Sequence, residues 1–258
     1  LIQLKKSLSH GSNKAGLDRP QVIVVYGTGA LLSLLHSKYD VTLYFDLTRE
    51  TVLRRNKDWT SLSGKTQSIS PKKLYYVDMP VNDKHRNRLL DRIDYYVDAN
   101  DDQAPVLVAA QTLQKVTAAV ASEPIRLKYL YEPGPWGGQW LKEIRHLPAD
   151  WVNCAWSYEV IATEMSLLVE VAAGIIELPW TTFFYQQYDR VMGNVPRRRF
   201  GGEFPVRFDY LDTMDGDNLS IQVHPGTSYV QQHFGERYHQ GEMYYIVDAK
   251  EGSSVNLG

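Results

Sequence analysis

The chain is short of several things, and each shortage excludes a class of protein. It holds one cysteine, Cys154, in 258 residues, which rules out an internal disulfide framework and suits a reducing compartment. No apolar run approaches the ~20 residues needed to cross a bilayer; the longest candidate, Met165 to Leu178, is interrupted by Glu170 and Glu177. Charge of one sign is also missing. Lys and Arg total 28 against 30 Asp and Glu, a formal net charge of −2, so there is no electrostatic footprint for nucleic acid. The opening Leu1-Ile-Gln-Leu-Lys-Lys6 lacks the apolar core of a secretory signal. It also lacks an initiating methionine, which leads us to expect a fragment or a processed product. The setting expected is the cytoplasm, with neither a membrane nor a nucleic acid as partner.

What is present is ordinary globular composition, 43% hydrophobic and 22% charged, and enough length for one large domain or two smaller ones. The first half alternates strand-like and helix-like segments. Gln21 to Tyr26 is a β-branched run ending at Gly27-Thr-Gly29, as a buried parallel strand would. Ala30 to Tyr39 reads as helix, Val41 to Phe45 as a second buried strand, and Arg49 to Asp58 as a polar helix opened by Thr48. Arg86 to Asp91 reads as helix, Asp94 to Val97 as strand and Gln111 to Ala121 as helix. Such alternation predicts an α/β layer with parallel strands.

Past about Glu123 the pattern changes to short strand candidates separated by Gly, Pro, Asn and Asp. They are Ile125–Tyr131, Trp156–Val160, Ser166–Glu170, Ile175–Leu178, Phe204–Tyr210, Leu219–Val223 and Met243–Asp248. Many short strands without long helices predict an all-β sandwich or barrel, with Trp180 to Tyr185 in its core. The fold expected is therefore multidomain α+β. An α/β segment over residues 1–122 is followed by a partial all-β barrel over 123–258, with the boundary near Glu123-Pro124.

Two features carry chemistry. Gly27-Thr-Gly29 stands between a strand and a helix, but it has neither the lysine and spacing of a phosphate loop nor the third glycine of a dinucleotide fingerprint. A tight turn is the plainer reading. Gln222, His224 and Glu242 are the stronger feature. On a strand, Gln222 and His224 leave the same face, and a hairpin partner can bring Glu242 beside them. An imidazole nitrogen, a carboxylate oxygen and an amide oxygen suit zinc or another divalent ion. By spacing alone, a histidine on a strand is more often packed or hydrogen-bonded than ligating.

The first half resembles uridine-kinase-like P-loop proteins over Pro20 to Asp58, where Arg54-Arg55 fall at paired arginines. Tyr26 stands where those kinases have a carboxylate, so the resemblance implies a trailing kinase-like segment without kinase activity, its phosphate loop upstream of Leu1. The second half resembles the type I phosphomannose isomerases. Asn218-Leu-Ser-Ile-Gln-Val-His-Pro225, Gly241-Glu-Met-Tyr-Tyr-Ile-Val-Asp-Ala249 and Gly252 to Gly258 are similar to three successive stretches of that family. Glu132-Pro-Gly-Pro-Trp-Gly-Gly138 is similar to its early Trp-Gly-Gly segment, and Arg199 to Asp209 to the strand before the metal motif. The whole chain looks like long bacterial forms that join a kinase-like segment to such a cupin.

The second resemblance implies a cupin or jelly roll with Gln222, His224 and Glu242 as three of four zinc ligands. The fourth ligand, a histidine, and a catalytic arginine would lie beyond Gly258. It implies interconversion of mannose 6-phosphate and fructose 6-phosphate, with a hexose phosphate as partner. Trp136 and Ser220 are expected to contact substrate; Lys142, Arg145 and Arg207 are available for its phosphate, with a solvated surface position the plainer reading of each. Gln240 departs from the family, which carries lysine there. A non-catalytic cupin that binds sugar or sugar phosphate in a regulatory role is the competing expectation. His233 and His239 stand as lesser candidates for a substitute ligand, and Arg197-Arg-Arg199 reads as a solvated loop.

Overall fold

The structure is a computed structural model that describes residues 22–27, 29–56, 70–161 and 163–256. The chain divides into two units, Leu1–Asp40 and Val41–Gly258.

In the first unit, Val22 to Tyr26 is not a strand. Its apolar side chains are exposed, and among the described residues no strand pairs with it, so the backbone groups that would drive a sheet have no ladder to join. A turn closed by Ala30 N donating to Gly27 O at 3.0 Å leads to a short helix, α1 (Ser33–His36). The Tyr39 hydroxyl donates to Ala30 O at 2.7 Å.

The second unit begins with a three-stranded sheet of β1 (Leu43–Asp46), β2 (Tyr95–Asp98) and β3 (Val106–Ala109), in the order β1-β2-β3. β1 runs parallel to β2, and β2 antiparallel to β3. The crossover from β1 to β2 holds α2 (Arg49–Asn56), α3 (Pro71–Lys73), a π-helical turn (Leu74–Asp78) and α4 (Met79–Leu89). β3 runs straight into α5 (Ala110–Val120), whose Leu113 and Thr117 face the core. Thr42 fixes the register of the parallel pair. Its N–H and Oγ1 both donate to Asp94 Oδ2, at 2.8 and 2.7 Å.

Beyond residue 122 come β4 (Leu130–Glu132), α6 (Trp140–Ile144), β5 (Trp156–Ile161), β6 (Ser166–Val171), β7 (Gly174–Pro179), α7 (Trp180–Met192), α8 (Asn194–Phe200), β8 (Arg207–Leu211) and α9 (Thr227–His233). β4, β5 and β8 form an antiparallel sheet, and β6 and β7 a hairpin whose return starts at Gly174, φ +127°. The architecture is mixed α+β with several small sheets, and no barrel closes among the described residues.

Three expectations for the second half meet a different outcome. Trp180 to Tyr185, expected in a barrel core, opens helix α7. Its buried Trp180, Phe183, Phe184 and Gln187 fall at i, i+3, i+4 and i+7, a helical stripe. Leu219–Val223 and Met243–Asp248 are irregular and largely exposed. A strand stands on its neighbours' hydrogen bonds, and among the described residues these two segments have none.

The residues on either side of Glu123-Pro124 share one core. Asp46, at the end of β1, accepts from Tyr96 Oη at 2.9 Å and from Thr182 Oγ1 of α7 at 2.6 Å, with Arg86 Nη1 3.8 Å away. Burial raises the Asp46 carboxyl, while the Arg86 charge and these donors oppose it. Gln187 of α7 donates to Thr117 of α5 at 3.0 Å, and Glu177 N donates to Asp98 Oδ2 at 2.6 Å. Among the described residues, no helix is long and apolar enough to cross a membrane.

Candidate functional site

The β4-β5-β8 sheet presents one face on which Glu132, Tyr158 and Asp209 are neighbours. The register sets this: Glu132 pairs with Trp156, Leu130 with Tyr158, and Tyr158 with Asp209. The Tyr158 hydroxyl donates to Glu132 Oε2 at 3.0 Å. Burial raises the Glu132 carboxyl, with the Tyr158 hydrogen bond opposing the rise. Burial, then the nearby Glu132 carboxylate, raises Tyr158 far above its ordinary range.

The segment after β8 adds His224 and Glu242. They come from stretches eighteen positions apart, and the structure brings them together, with His224 Nε2 3.2 Å from Glu242 Oε2. Their side chains are 27% and 33% exposed. Burial, together with the neighbouring Glu242 carboxylate, pushes the Tyr244 hydroxyl up to about 12. Burial, followed by the charge of Glu242, raises Asp209. Glu132, Asp209, His224 and Glu242 thus bring together four of the stretches that carry the isomerase resemblance.

The donor set can be tested against a divalent ion. Two donors about 2.1 Å from a common tetrahedral ion stand about 3.4 Å apart, so an imidazole nitrogen and a carboxylate oxygen at 3.2 Å fit two ligands of one ion. They are a nucleus rather than a complete centre. Among the described residues no three His, Cys, Asp or Glu side chains form a metal-holding group. Gln222 and Ser220 are exposed on the irregular stretch before His224. The strand geometry expected to aim Gln222 beside His224 is absent.

The other expected residues have placements of their own. Trp136 is 8% exposed, its ring edge-on to Trp156 with centroids 4.6 Å apart. The glycines after it are structural. Gly138 N donates to Asp212 O at 2.9 Å, and a Cβ on Gly138 would stand 2.3 Å from Asp212 Oδ1. Asp212, itself buried, accepts from Leu141 N at 2.8 Å and Met214 N at 2.7 Å. The Trp-Gly-Gly stretch therefore clamps the end of β8.

Lys142 donates to Ala149 O at 2.9 Å and Trp151 O at 2.5 Å, and Arg145 to Glu159 at 2.6 Å. Both cations are engaged within the fold, whereas Arg207 is exposed. Arg197 pairs with Asp189, and Arg199 lies over the Phe200 ring. His239 Nδ1 sits 2.6 Å from Thr227 Oγ1, and His233 packs on Tyr229. Cys154 is buried, which pushes its thiol up to about 11.

Spacing along the sequence singles out His224 and Glu242 but not Asp209, Tyr158 or Tyr244. Tyr244 carried a legible signal, two positions from Glu242. Asp209 did not, because its place depends on the β5–β8 register.

Comparison with known proteins adds two findings. A family model described as a domain of unknown function (DUF8485) matches residues 4–122. A curated mannose-6-phosphate isomerase from Streptococcus mutans is 27% identical over 139 residues, 53% of this chain and 41% of that protein. The chain thus spans about two-fifths of the length of the curated relative it matches. No solved structure matches.

Proposed function

We propose that residues 123–258 belong to a metal-dependent sugar-phosphate isomerase of the type I phosphomannose kind, acting in the cytoplasm on mannose 6-phosphate and fructose 6-phosphate. The observation that carries this reading is the approach of His224 and Glu242 to 3.2 Å, from two separate stretches that resemble that family. The similarity to the streptococcal mannose-6-phosphate isomerase over 139 residues supports the same chemistry. In this reading, residues 123–258 are the leading portion of a cupin, and residues 1–122 a kinase-like segment without kinase activity.

The reaction moves a proton between C1 and C2 of the sugar through an enediolate. His224 and Glu242 would hold a divalent ion such as zinc, which when bound supplies Lewis-acid stabilisation of charge on the sugar oxygens. The chain's own groups set up the pair. Tyr244 and Asp209 stand close enough to Glu242 for its charge to raise both. Arg207, exposed on β8, is the cation available for the substrate phosphate.

Gln240 favours a second reading, a cupin that binds a sugar phosphate without turning it over, because the family's lysine at that place is replaced by a neutral amide. A coupled assay for fructose 6-phosphate formed from mannose 6-phosphate, run on zinc-loaded protein, separates the two. Turnover abolished by Glu242→Gln supports the isomerase. Stoichiometric zinc and sugar-phosphate binding without turnover leaves the binding protein.

A further inference from the structure

A cavity of about 1010 Å³ opens where α2, the turn after β2 and the β6–β7 hairpin meet. It lies beyond the carboxyl ends of the parallel strands β1 and β2, the end at which α/β sheets receive ligands. None of its lining belongs to the His224–Glu242 site.

Five carboxylates and three cations line it, and four of the carboxylates, Asp102 excepted, are hydrogen-bonded or paired within the molecule. Asp98 accepts from Glu177 N at 2.6 Å and from Asn100 N and Nδ2 at 3.0 and 2.7 Å. Glu177 Oε1 accepts from Lys128 Nζ at 2.9 Å and Ser166 Oγ at 2.6 Å, and Lys128 also reaches Glu50 at 3.3 Å. Asp101 Oδ1 accepts two N–H groups of its own turn.

The arginines are different. Arg55 uses Nη2 on the carbonyls of Ala99 and Asn100, at 2.8 and 3.0 Å, and Arg54 makes a long 3.4 Å contact with Thr51 Oγ1. Neither guanidinium has a carboxylate partner among the described residues. Each has five N–H donors, so both retain donors for an anion, and guanidinium forks match phosphate oxygens. Asp102 lines the same space as an acceptor for a hydroxyl. On the hairpin side stand Leu168 and Ile175, 58% and 64% exposed, an apolar wall rather than a core.

We propose that this cavity is a second small-molecule site for a hydroxylated phosphate ester, with its phosphate on Arg54 and Arg55, a hydroxyl on Asp102 and its carbon skeleton against Leu168 and Ile175. The site draws on both sides of residue 122, so its ligand bridges α2 and the hairpin. It is independent of the isomerase reading.

Calorimetric titration of the full chain with glucose 6-phosphate, glucose and inorganic phosphate tests it. Glucose 6-phosphate binds at millimolar concentration or below, glucose does not, and inorganic phosphate binds more weakly than the ester. Arg54→Gln, at an exposed position, weakens the ester by about tenfold or more. Ile175→Asp, also at an exposed position, weakens it too. No binding to folded protein, or unchanged affinity in both Arg54→Gln and Ile175→Asp, would overturn the proposal. Equal affinity for inorganic phosphate would overturn its assignment to an ester.

Discussion

The sheet β1-β2-β3 with α7 and the stretch from Asp212 to Asn256 are built by opposite rules. In the first, buried polar groups answer one another. Asp46 takes donors from Tyr96 and Thr182 beside Arg86, and Thr117 meets Gln187. In the second, apolar side chains stand in solvent, with Ile221 98% and Met243 85% exposed. Yet this loosely supported stretch holds the histidine and glutamate that approach one another. Rigidity and chemistry sit in different places, and Glu242 stands near β8, where its charge raises Asp209.

The contrast can be broken by substitution. Asp46→Ala takes one of two carboxylates from the buried Arg86, with Asp83 remaining at 2.8 Å, and leaves the Tyr96 and Thr182 donors unanswered, so denaturant unfolding should show a loss of about 1–3 kcal/mol. Adding Asp83→Asn, which leaves Arg86 an uncompensated buried charge, should raise the loss to about 3–5 kcal/mol. A double variant no less stable than Asp46→Ala would mean that Asp46 contributes through Tyr96 and Thr182 rather than through the arginine.

Gly138→Ala comes next. Its Cβ would meet Asp212 Oδ1 at 2.3 Å and Met214 O at 2.5 Å, a backbone-constrained clash expected to cost about 1–3 kcal/mol in the same measurement. Because the clamp positions the end of β8, the variant should also weaken metal binding at His224 and Glu242. His224→Ala itself should lower zinc affinity by at least about tenfold while changing stability by no more than about 0.5 kcal/mol.

Cys154 reports on the boundary between the two regions. Burial pushes its thiol to about 11, and the thiolate is the reacting form. Labelling at pH 8 should therefore be far slower in the native chain than in the unfolded one, and should accelerate in Gly138→Ala if the clamp opens. The smallest effect is expected at Ile221→Asp, within about 0.5 kcal/mol. A larger loss would show that the 219–223 stretch is packed after all.

Much of the sheet region was legible in the sequence. Val41–Phe45, Asp94–Val97, Arg49–Asp58 and Gln111–Ala121 announced β1, β2, α2 and α5 to within a few residues, because each carries its own pattern. Ser166–Glu170 and Ile175–Leu178 announced the hairpin through the turn between them. Trp180–Tyr185 lies mostly in a core as expected, but in helix α7 rather than a barrel, with Trp180, Phe183 and Phe184 at i, i+3 and i+4. Leu219–Val223 and Met243–Asp248 have strand composition, but composition supplies no neighbour. Of the site, the sequence paired His224 with Glu242 through an expected strand hairpin, which the described residues do not form. Asp209 and Tyr158 were not legible, since a β-bulge between Tyr158 and Val160 sets their register.

The most direct test of the account is calorimetric titration of zinc into the metal-free 258-residue chain, beside His224→Ala and Glu242→Gln. One site per chain, lost or weakened at least about tenfold in both variants, is the predicted result. An absence of binding in the folded wild type, or binding that both variants leave untouched, would contradict it.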